Sequence, residues 1–585
     1  MQVIEFYQKQ LPSLNKTLSE AKKKVQVLTF LRLLIFLAIV SFTYFFWGNS
    51  LIVSLSLAVG IALFLIAVSF SVDAKLALEK VKQKIKLIQL EITQIETNQG
   101  QFDPGAVFQD PKHAFSYDLD LFTPKGIFAF INRTTSKLGR ELLAKNLLYP
   151  SLNEEKRKQQ QDLIEALSKE MEWMQDFRVS ASISSREDAF DKSLAGFGKL
   201  EFKNASFVKI AAVLIPIVSI SALILNYFNL VPGSISGLII TLSLLPTTRL
   251  LKETNMWSNA VSGYQSKIKI VMDQLILLKS LDIDGLGKAH LTDIEQELKT
   301  WVKISRRFDL RLNIVVGIPL NIFFAWDIQQ RLALEKWSNK NKTKLQEWEH
   351  ELAQIEVLIS AATLRFNHAS ETIYPNFTNS NSYNCIALAH PMIPVLKRVT
   401  NDFILSSEQH FVILTGPNMA GKSTFLRSLG MNIVFANAGF PVFAEHFEIP
   451  ELNLFSSMRT SDDLSQESSY FHAELTRLKF IQENMQTDKQ SFVLLDEILK
   501  GTNSKDKEEG SKKFLQKMKR IGAKGIIATH DLSLCVLSNE DTAFVNFYFD
   551  STISNNELSF DYKMKNGICQ NMNASFLLQK MNLVD

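Results

Sequence analysis

The stretch Phe411-Val412-Ile413-Leu414-Thr415-Gly416-Pro417-Asn418-Met419-Ala420-Gly421-Lys422-Ser423-Thr424 decides how the C-terminal part of the chain folds. Its first four residues are a continuous apolar run and read as a buried strand. Phe425-Leu426-Arg427-Ser428-Leu429, just beyond it, opens a helix. Between strand and helix the residues fit G-x-x-x-x-G-K-[ST], and the spacing has a physical reason. Glycines let the backbone N–H groups close around a β-phosphate, and the helix N-terminus adds its partial positive charge. Lys422 reaches the β/γ-phosphates, and Ser423 offers a hydroxyl to Mg²⁺. The competing reading is a chance glycine turn, against which the flanking strand and helix both argue. The pattern implies a nucleoside-triphosphate site.

Two later stretches fit the same site. Ser491-Phe492-Val493-Leu494-Leu495-Asp496-Glu497 is an apolar strand ending in two acids. Asp496 is placed to hold Mg²⁺ through water, and Glu497 to polarise the attacking water for in-line hydrolysis. Gly525-Ile526-Ile527-Ala528-Thr529-His530 reads as a neighbouring strand with a polar end. His530 has two readings, a sensor of the γ-phosphate or a cap for the next helix. The strand edge, where nucleotide sites form in parallel α/β sheets, favours the first.

At 585 residues the chain is too long for one core, and several domains are expected. Lys+Arg 64 against Asp+Glu 60 leaves a net charge of +4, which selects neither for nor against nucleic acid. Cys385, Cys535 and Cys569 lie far apart, form no metal-ligand pattern and read as reduced thiols. From Leu33 to Val72 no residue is charged, and Trp47-Gly48-Asn49-Ser50 divides the run into two segments. Each is close to the roughly 20 residues that a bilayer span requires. The first segment lacks a cleavage site and a second follows at once, which excludes a signal peptide. Ile210 to Thr248 repeats the pattern around Asn229-Leu230-Val231-Pro232-Gly233, with Pro216 inside its first span. Lysines crowd the outer flanks of the first hairpin, and the turns of both carry no charge, so all soluble parts are expected in the cytoplasm.

Leu78, Val81, Ile85, Ile88, Ile92 and Ile95 form a short heptad stripe, which suits either the chain's own core or a second chain. Helical patterns follow over 153–179 and 337–366, the latter with Leu345, Trp348, Leu352, Ile355, Ile359 and Ala362 on one face. Leu312 to Trp326 is too short and too polar for a fifth span and reads as a buried helix. Lys340, Lys342 and Lys344, and the lysines from Lys505 to Lys524, read as solvated helix faces.

Taken together, these residues resemble the MutS family, the ATPases of DNA mismatch repair. TGPNMAGKST looks like the family's phosphate loop, DEILKGTNS like its acidic strand end and D-loop, and ATHDLSL like its histidine switch. SSYFHAEL is similar to the S-x-F-x-x-E signature, which implies that Ser469 completes a partner subunit's site. HPMIPVLKRVTND resembles the entry to the ATPase domain, which implies Val399 near adenine and Asn401 within the nucleotide pocket. The run LDLF…NRTTSKLGRELL…LLYP matches the start of the family's helical core. The resemblance covers about 101–206 and 249–585. Leu499-Lys500 replaces the family's usual Gly-Arg, and the mismatch-reading domain and the nuclease-like tail of one branch have no counterpart. Mismatch discrimination is therefore not expected.

The expected fold is multidomain: α-helical transmembrane hairpins, an all-α MutS-type core and lever, and a C-terminal α/β P-loop ATPase domain of ABC type. The divisions are a polar segment 1–28, hairpin 29–72, heptad helix 73–100 and core 101–206. Hairpin 207–248, core and lever 249–374 and ATPase 375–585 follow. The leading expectation is a membrane-anchored, multi-pass, Mg²⁺-dependent ATPase. It binds ATP through Gly416 to Thr424, acts as a homodimer and couples hydrolysis to DNA held by structure or backbone. The alternatives are the motor of an ABC-type transport or membrane-remodelling complex, and a scaffold that binds ATP without turnover. Against the first, Leu464-Ser465-Gln466-Glu467 only grazes the transporter signature. Lys422, Asp496 and Glu497 argue against the second.

Overall fold

The computed structural model describes residues 2–182, 205–283, 285–286, 288–312, 314–459, 470–485, 490–554 and 557–570. The chain is mostly helical, with a C-terminal α/β part. Helices α1 (Gln2–Phe45) and α2 (Ser50–Thr97) form an antiparallel pair joined by a tight turn, where the Asn49 side chain accepts from the Ile52 N–H. At 1.5 Å per residue each is roughly 65–70 Å long. No glycine, proline or cap interrupts the chain between Val72 and the heptad stripe, so span and stripe are one helix. The stripe packs on the chain's own core: Ile85 and Ile88 are buried, and Ile92 and Ile95 lie against the same cluster. The N-terminal segment is likewise continuous with its span, and Tyr7 is fully buried.

Further along the pair the pattern inverts. Phe30, Phe36, Phe42, Leu55, Leu65 and Phe70 are exposed on helices that touch little but each other. A Cβ at Gly60 would collide with Ile39, so the two helices approach closely there.

The helical body comprises α3 (Ile127–Ile131), α4 (Lys137–Leu148), α5 (Glu154–Ser168) and α6 (Met171–Ser182). Helices α7 (Ala205–Tyr227), α8 (Gly233–Ser243) and α9 (Leu245–Ser280) follow, with α10 (Lys288–Asp309) packed on α9. The pattern read over 153–179 is thus two helices, α5 and α6. The turn between α7 and α8 falls at the expected Asn229–Pro232. Among the described residues, four helical stretches, within Gln2–Phe45, Ile52–Thr97, Ser206–Tyr227 and Gly233–Ser280, are long and apolar enough to cross a membrane.

Helix α11 (Ile314–Phe324) has 11 residues and packs against α7. Arg311 Nε lies 3.1 Å from Asp327 Oδ2, so an ion pair staples the two ends of this excursion together. It is not fully buried, as its sequence suggested: Ile318 and Phe324 are about half exposed. The pattern from Trp337 to Phe366 also divides, into α12 (Trp326–Asn341) and α13 (Lys344–Asn367). Leu345, Trp348, Ile355, Ile359 and Ala362 of α13 are buried, and the helix packs on α4 and α5.

A polar node lies inside this body. The Glu91 carboxylate receives Arg133 Nε at 2.6 Å and Arg178 Nη1 at 2.7 Å, all three buried. Asn367, the last residue of α13, donates to Glu91 at 3.2 Å and accepts from the Tyr7 hydroxyl at 2.8 Å. Burial opposes the charge on Glu91, but Arg133 and Arg178 hold its carboxyl below the usual range.

The C-terminal part holds two main sheets. The first has the order β1-β5-β2-β3, from Asn376–Phe377, His446–Ile449, Tyr383–Leu388 and Asn401–Leu405. The second has the order β12-β9-β4-β8-β7-β6. Its strands β9 (Phe544–Phe549), β4 (Phe411–Thr415), β8 (Lys524–Ala528), β7 (Gln490–Asp496) and β6 (Leu452–Ser457) are parallel, and β12 (Met564–Asn566) is an antiparallel edge; β10 (Thr552–Ser554) and β11 (Glu557–Ser559) pair with each other as a separate hairpin. Strands β4 and β8 are buried throughout, as a parallel sheet covered on both faces requires. Helices α14 (Lys422–Asn437), α15 (Tyr470–Glu483) and α16 (Ser504–Arg520) flank this sheet. Lys524 departs from the solvated face expected of it. It is buried at the start of β8, and its ammonium caps the carbonyls of Ser406 and Ser407 at 2.6 and 3.0 Å.

Candidate functional site: a phosphate loop at the end of the parallel sheet

Strand β4 delivers the chain into the loop at Gly416, where φ is 143° and a Cβ would run into the Phe549 carbonyl. Only glycine suits that conformation and that approach. Met419 follows at φ 68° with its side chain 78% exposed, and Gly421 at φ 106° starts α14. Lys422 folds back under the loop: its Nζ donates to the carbonyls of Gly416 (2.7 Å) and Pro417 (2.9 Å). Burial lowers its pKa, and the nearby Asp496 and Glu497 oppose that shift.

Strand β7 ends at Asp496, and Glu497 turns out of the sheet at φ 52°, its N–H donating to the Ala528 carbonyl at 2.9 Å. The turn aims its carboxylate across the strand ends. Glu497 Oε1 lies 3.2 Å from His530 Nε2, and Oε2 lies 3.5 Å from Lys500 Nζ. His530 Nε2 is also 3.2 Å from Lys422 Nζ. Burial and then Lys422 push the His530 imidazole below its ordinary range, against the pull of Glu497 and Asp496. In the neutral ring Nε2 can accept from Lys422 or donate to Glu497, but not both at once, so the tautomer decides which partner His530 holds. The next turn is capped by Asp531, whose carboxylate accepts from the Ser533 N–H at 3.0 Å. His530 is free of that task.

These groups line a cavity of about 840 Å³, to which Pro417, Asn418, Met419, Ser423 and Thr424 also contribute. Ala420 is fully buried beneath the loop. Val399 and Asn401 line the opposite wall. Asn401 acts as a brace: its amide donates to the Tyr562 carbonyl at 3.0 Å and accepts from the Met564 N–H at 2.7 Å. Tyr562 is thereby held beside Gly421, where a Cβ would meet its ring at 3.3 Å. Ser469 lies outside the described residues. In the same signature, the buried Glu474 accepts from the Lys500 N–H at 3.0 Å and so props the turn after Glu497.

Tyr562, His390 and Phe549 also line the cavity and were not singled out in the sequence. His390 opens the HPMIPVLKRVTND stretch, from which only Val399 and Asn401 were read as site residues, whereas Tyr562 and Phe549 sit in no compact motif and reach the loop through the sheet topology. Burial, with Arg398 and Arg427 nearby, lowers the pKa of His390 to about 4, so it lines the wall as a neutral ring.

Ser423 and Asp496 together offer a hydroxyl and a carboxylate, the hard oxygen donors that suit Mg²⁺. Among the described residues no cluster of three His, Cys, Asp or Glu could hold a metal by itself. The donor set therefore fits an ion that shares its ligands with phosphate oxygens and water.

Comparison with known proteins agrees with this geometry. Residues 412–582 match MutS domain V. The DNA mismatch repair protein MutS of Thermotoga neapolitana is 32% identical over 205 residues, 34% of this chain and 25% of that protein. The protein of the same name from Fusobacterium nucleatum is 36% identical over 162 residues, 27% of this chain and 18% of that protein. The MutS protein homolog him-14 of Caenorhabditis elegans is 30% identical over 202 residues, 34% of this chain and 23% of that protein. The chain thus spans about a quarter or less of the length of these relatives. Over residues 412–582 the chain matches MutS domain V, and through that stretch it is related to the MutS family.

Proposed function

We propose that this protein is a membrane-anchored, MutS-related ATPase. The observation that carries the reading is the convergence of Lys422, Glu497 and His530 within hydrogen-bond reach beneath the 416–424 loop, on one cavity. Loop N–H groups and the α14 N-terminus would hold the phosphates of ATP, and Lys422 would leave its two loop carbonyls for the β/γ-phosphate oxygens. Ser423 and Asp496 would hold Mg²⁺, which would offset the charge of the phosphates. Glu497 polarises the attacking water, and His530, neutral beside it, reports the γ-phosphate to β8.

Ser469, just before α15, completes the site of a second copy in a homodimer. The domains divide as the sequence suggests, and the exposed apolar helices anchor the protein in a membrane with its soluble parts in the cytoplasm. DNA, held through its shape or backbone, is the proposed partner of the helical body, by analogy with relatives named for mismatch repair.

The test is phosphate release from MgATP by the detergent-purified chain. Glu497→Gln should keep ATP binding and lose about 10²–10³ in turnover, whereas Lys422→Ala should lose binding itself. Undiminished turnover in Glu497→Gln would overturn the assignment.

A further inference from the structure

We propose that Asn98, the C-cap of the membrane-hairpin helix α2, is a positioning residue of the nucleotide cavity. The inference rests on the nucleotide-binding reading above and adds that the membrane helix itself holds one wall of the site.

Helix α2 runs unbroken from the hairpin turn to Thr97 and ends on Asn98, at φ 49° and ψ 34°. Such a left-handed end is common, and glycine is its usual occupant. Asn98 does more than end the helix. Its buried amide donates to two main-chain carbonyls almost 300 residues away, Pro391 at 3.3 Å and Ile393 at 3.0 Å. The turn that carries them presents His390 and Ile393 to the cavity.

Arg398 grips the same two carbonyls from the other side, Nη2 at 3.2 Å from Pro391 O and Nε at 2.8 Å from Ile393 O. Its Nη1 pairs with Glu371 at 2.6 Å, and Glu371 lies 3.1 Å from His368, the C-cap of α13. One short turn in the cavity wall is therefore clamped between α2 and the end of α13. A shift of that wall when nucleotide enters must strain or move one of the two helices. By thermodynamic reciprocity, a change in α2 must alter nucleotide affinity.

Glycine at position 98 separates this role from simple capping. It keeps the left-handed cap at no steric cost but removes both hydrogen bonds. Aspartate keeps the size but turns a carboxylate toward two carbonyl oxygens with nothing to donate. The experiment uses the full chain in detergent with MgATP, measuring Kd, KM, kcat and the Tm without nucleotide.

Asn98→Gly should weaken ATP binding and raise KM about tenfold, with kcat at saturation within about twofold of wild type. Its Tm should be unchanged. Asn98→Asp should bind more weakly still, and it keeps the question open to test if the glycine variant fails to fold. Gln99→Ala, one exposed residue further on, should match wild type. Unchanged Kd and KM in Asn98→Gly would overturn the proposal, as would a loss of affinity accompanied by a matching loss of Tm. Equal binding by wild type and Lys422→Ala would instead remove the nucleotide reading, and this inference with it.

Discussion

His530 shows what a single residue in this site can be asked. Its Nε2 sits 3.2 Å from both Lys422 Nζ and Glu497 Oε1, and burial and the lysine both oppose a charge on the ring. The imidazole is therefore neutral at pH 7 and titrates below its ordinary 6.5. As the pH falls through that range the ring charges, repels Lys422 and takes up the Glu497 lone pair that should face water. Hydrolysis should accordingly be retained at neutral pH and lost on the acid side, in a limb shared by the coupled pair. His530→Asn, which cannot titrate, should flatten that limb and leave ATP binding in place. A pH–rate profile of the variant that overlays wild type would contradict this. Residues of this kind were legible because strand, turn and ligand group lie within ten positions of each other. Tyr562 was not, because its approach to the loop depends on the pairing of β9 with β12 and on the Asn401 brace, which no local pattern encodes.

At the scale of elements, periodicity located the helices better than it located their ends. The heptad stripe of α2 was plain, and it could not say whether the partner was a second chain. The partner is the chain's own body, and the reason is the node at Glu91, which a surface for another copy would not bury. Glu91 is the shared counter-charge of two arginines, Arg133 in the loop after α3 and Arg178 of α6, and also receives Asn367. Glu91→Gln should therefore leave Arg133 and Arg178 without their counter-charge in the interior. We expect a loss of about 3–5 kcal/mol, the cost typical of breaking one side of a buried ion pair. Denaturant unfolding of the detergent-solubilised chain, followed by tryptophan fluorescence, measures it, and a change under about 1 kcal/mol would mean that the node is hydrated. The break at Lys169–Glu170 escaped the sequence reading because the apolar spacing of Ile164, Leu167, Met171 and Met174 runs across it. The break at Lys342–Thr343 lies in a polar run, Asn339 to Lys344, with no glycine or proline to mark it.

For the whole molecule, the decisive question is which surfaces meet water. The charge-free runs were visible in the sequence, but what they join was not. Helices α1 and α2 carry them without a break into the buried body that abuts the nucleotide cavity, at Tyr7 at one end and Asn98 at the other. Exposed phenylalanines and leucines all round that pair are what supports the proposed membrane anchor. Because the flanking lysines favour the cytoplasm and both turns are uncharged, the turns should face outward. Gly48 and Ser234 mark the two turns, and a Cβ at Gly48 meets nothing within 4 Å, so a cysteine there is accommodated. On the other side Ser338 is buried, and the exposed Asn339 beside it is the proper cytoplasmic reporter. The native Cys385, Cys535 and Cys569 are all buried and should contribute little background. In intact cells an impermeant thiol reagent should therefore label Gly48→Cys and Ser234→Cys and spare Asn339→Cys until the membrane is opened. Labelling of Asn339→Cys in sealed cells would put the nucleotide cavity on the side without ATP, and neither the anchoring nor the ATPase proposal would survive it.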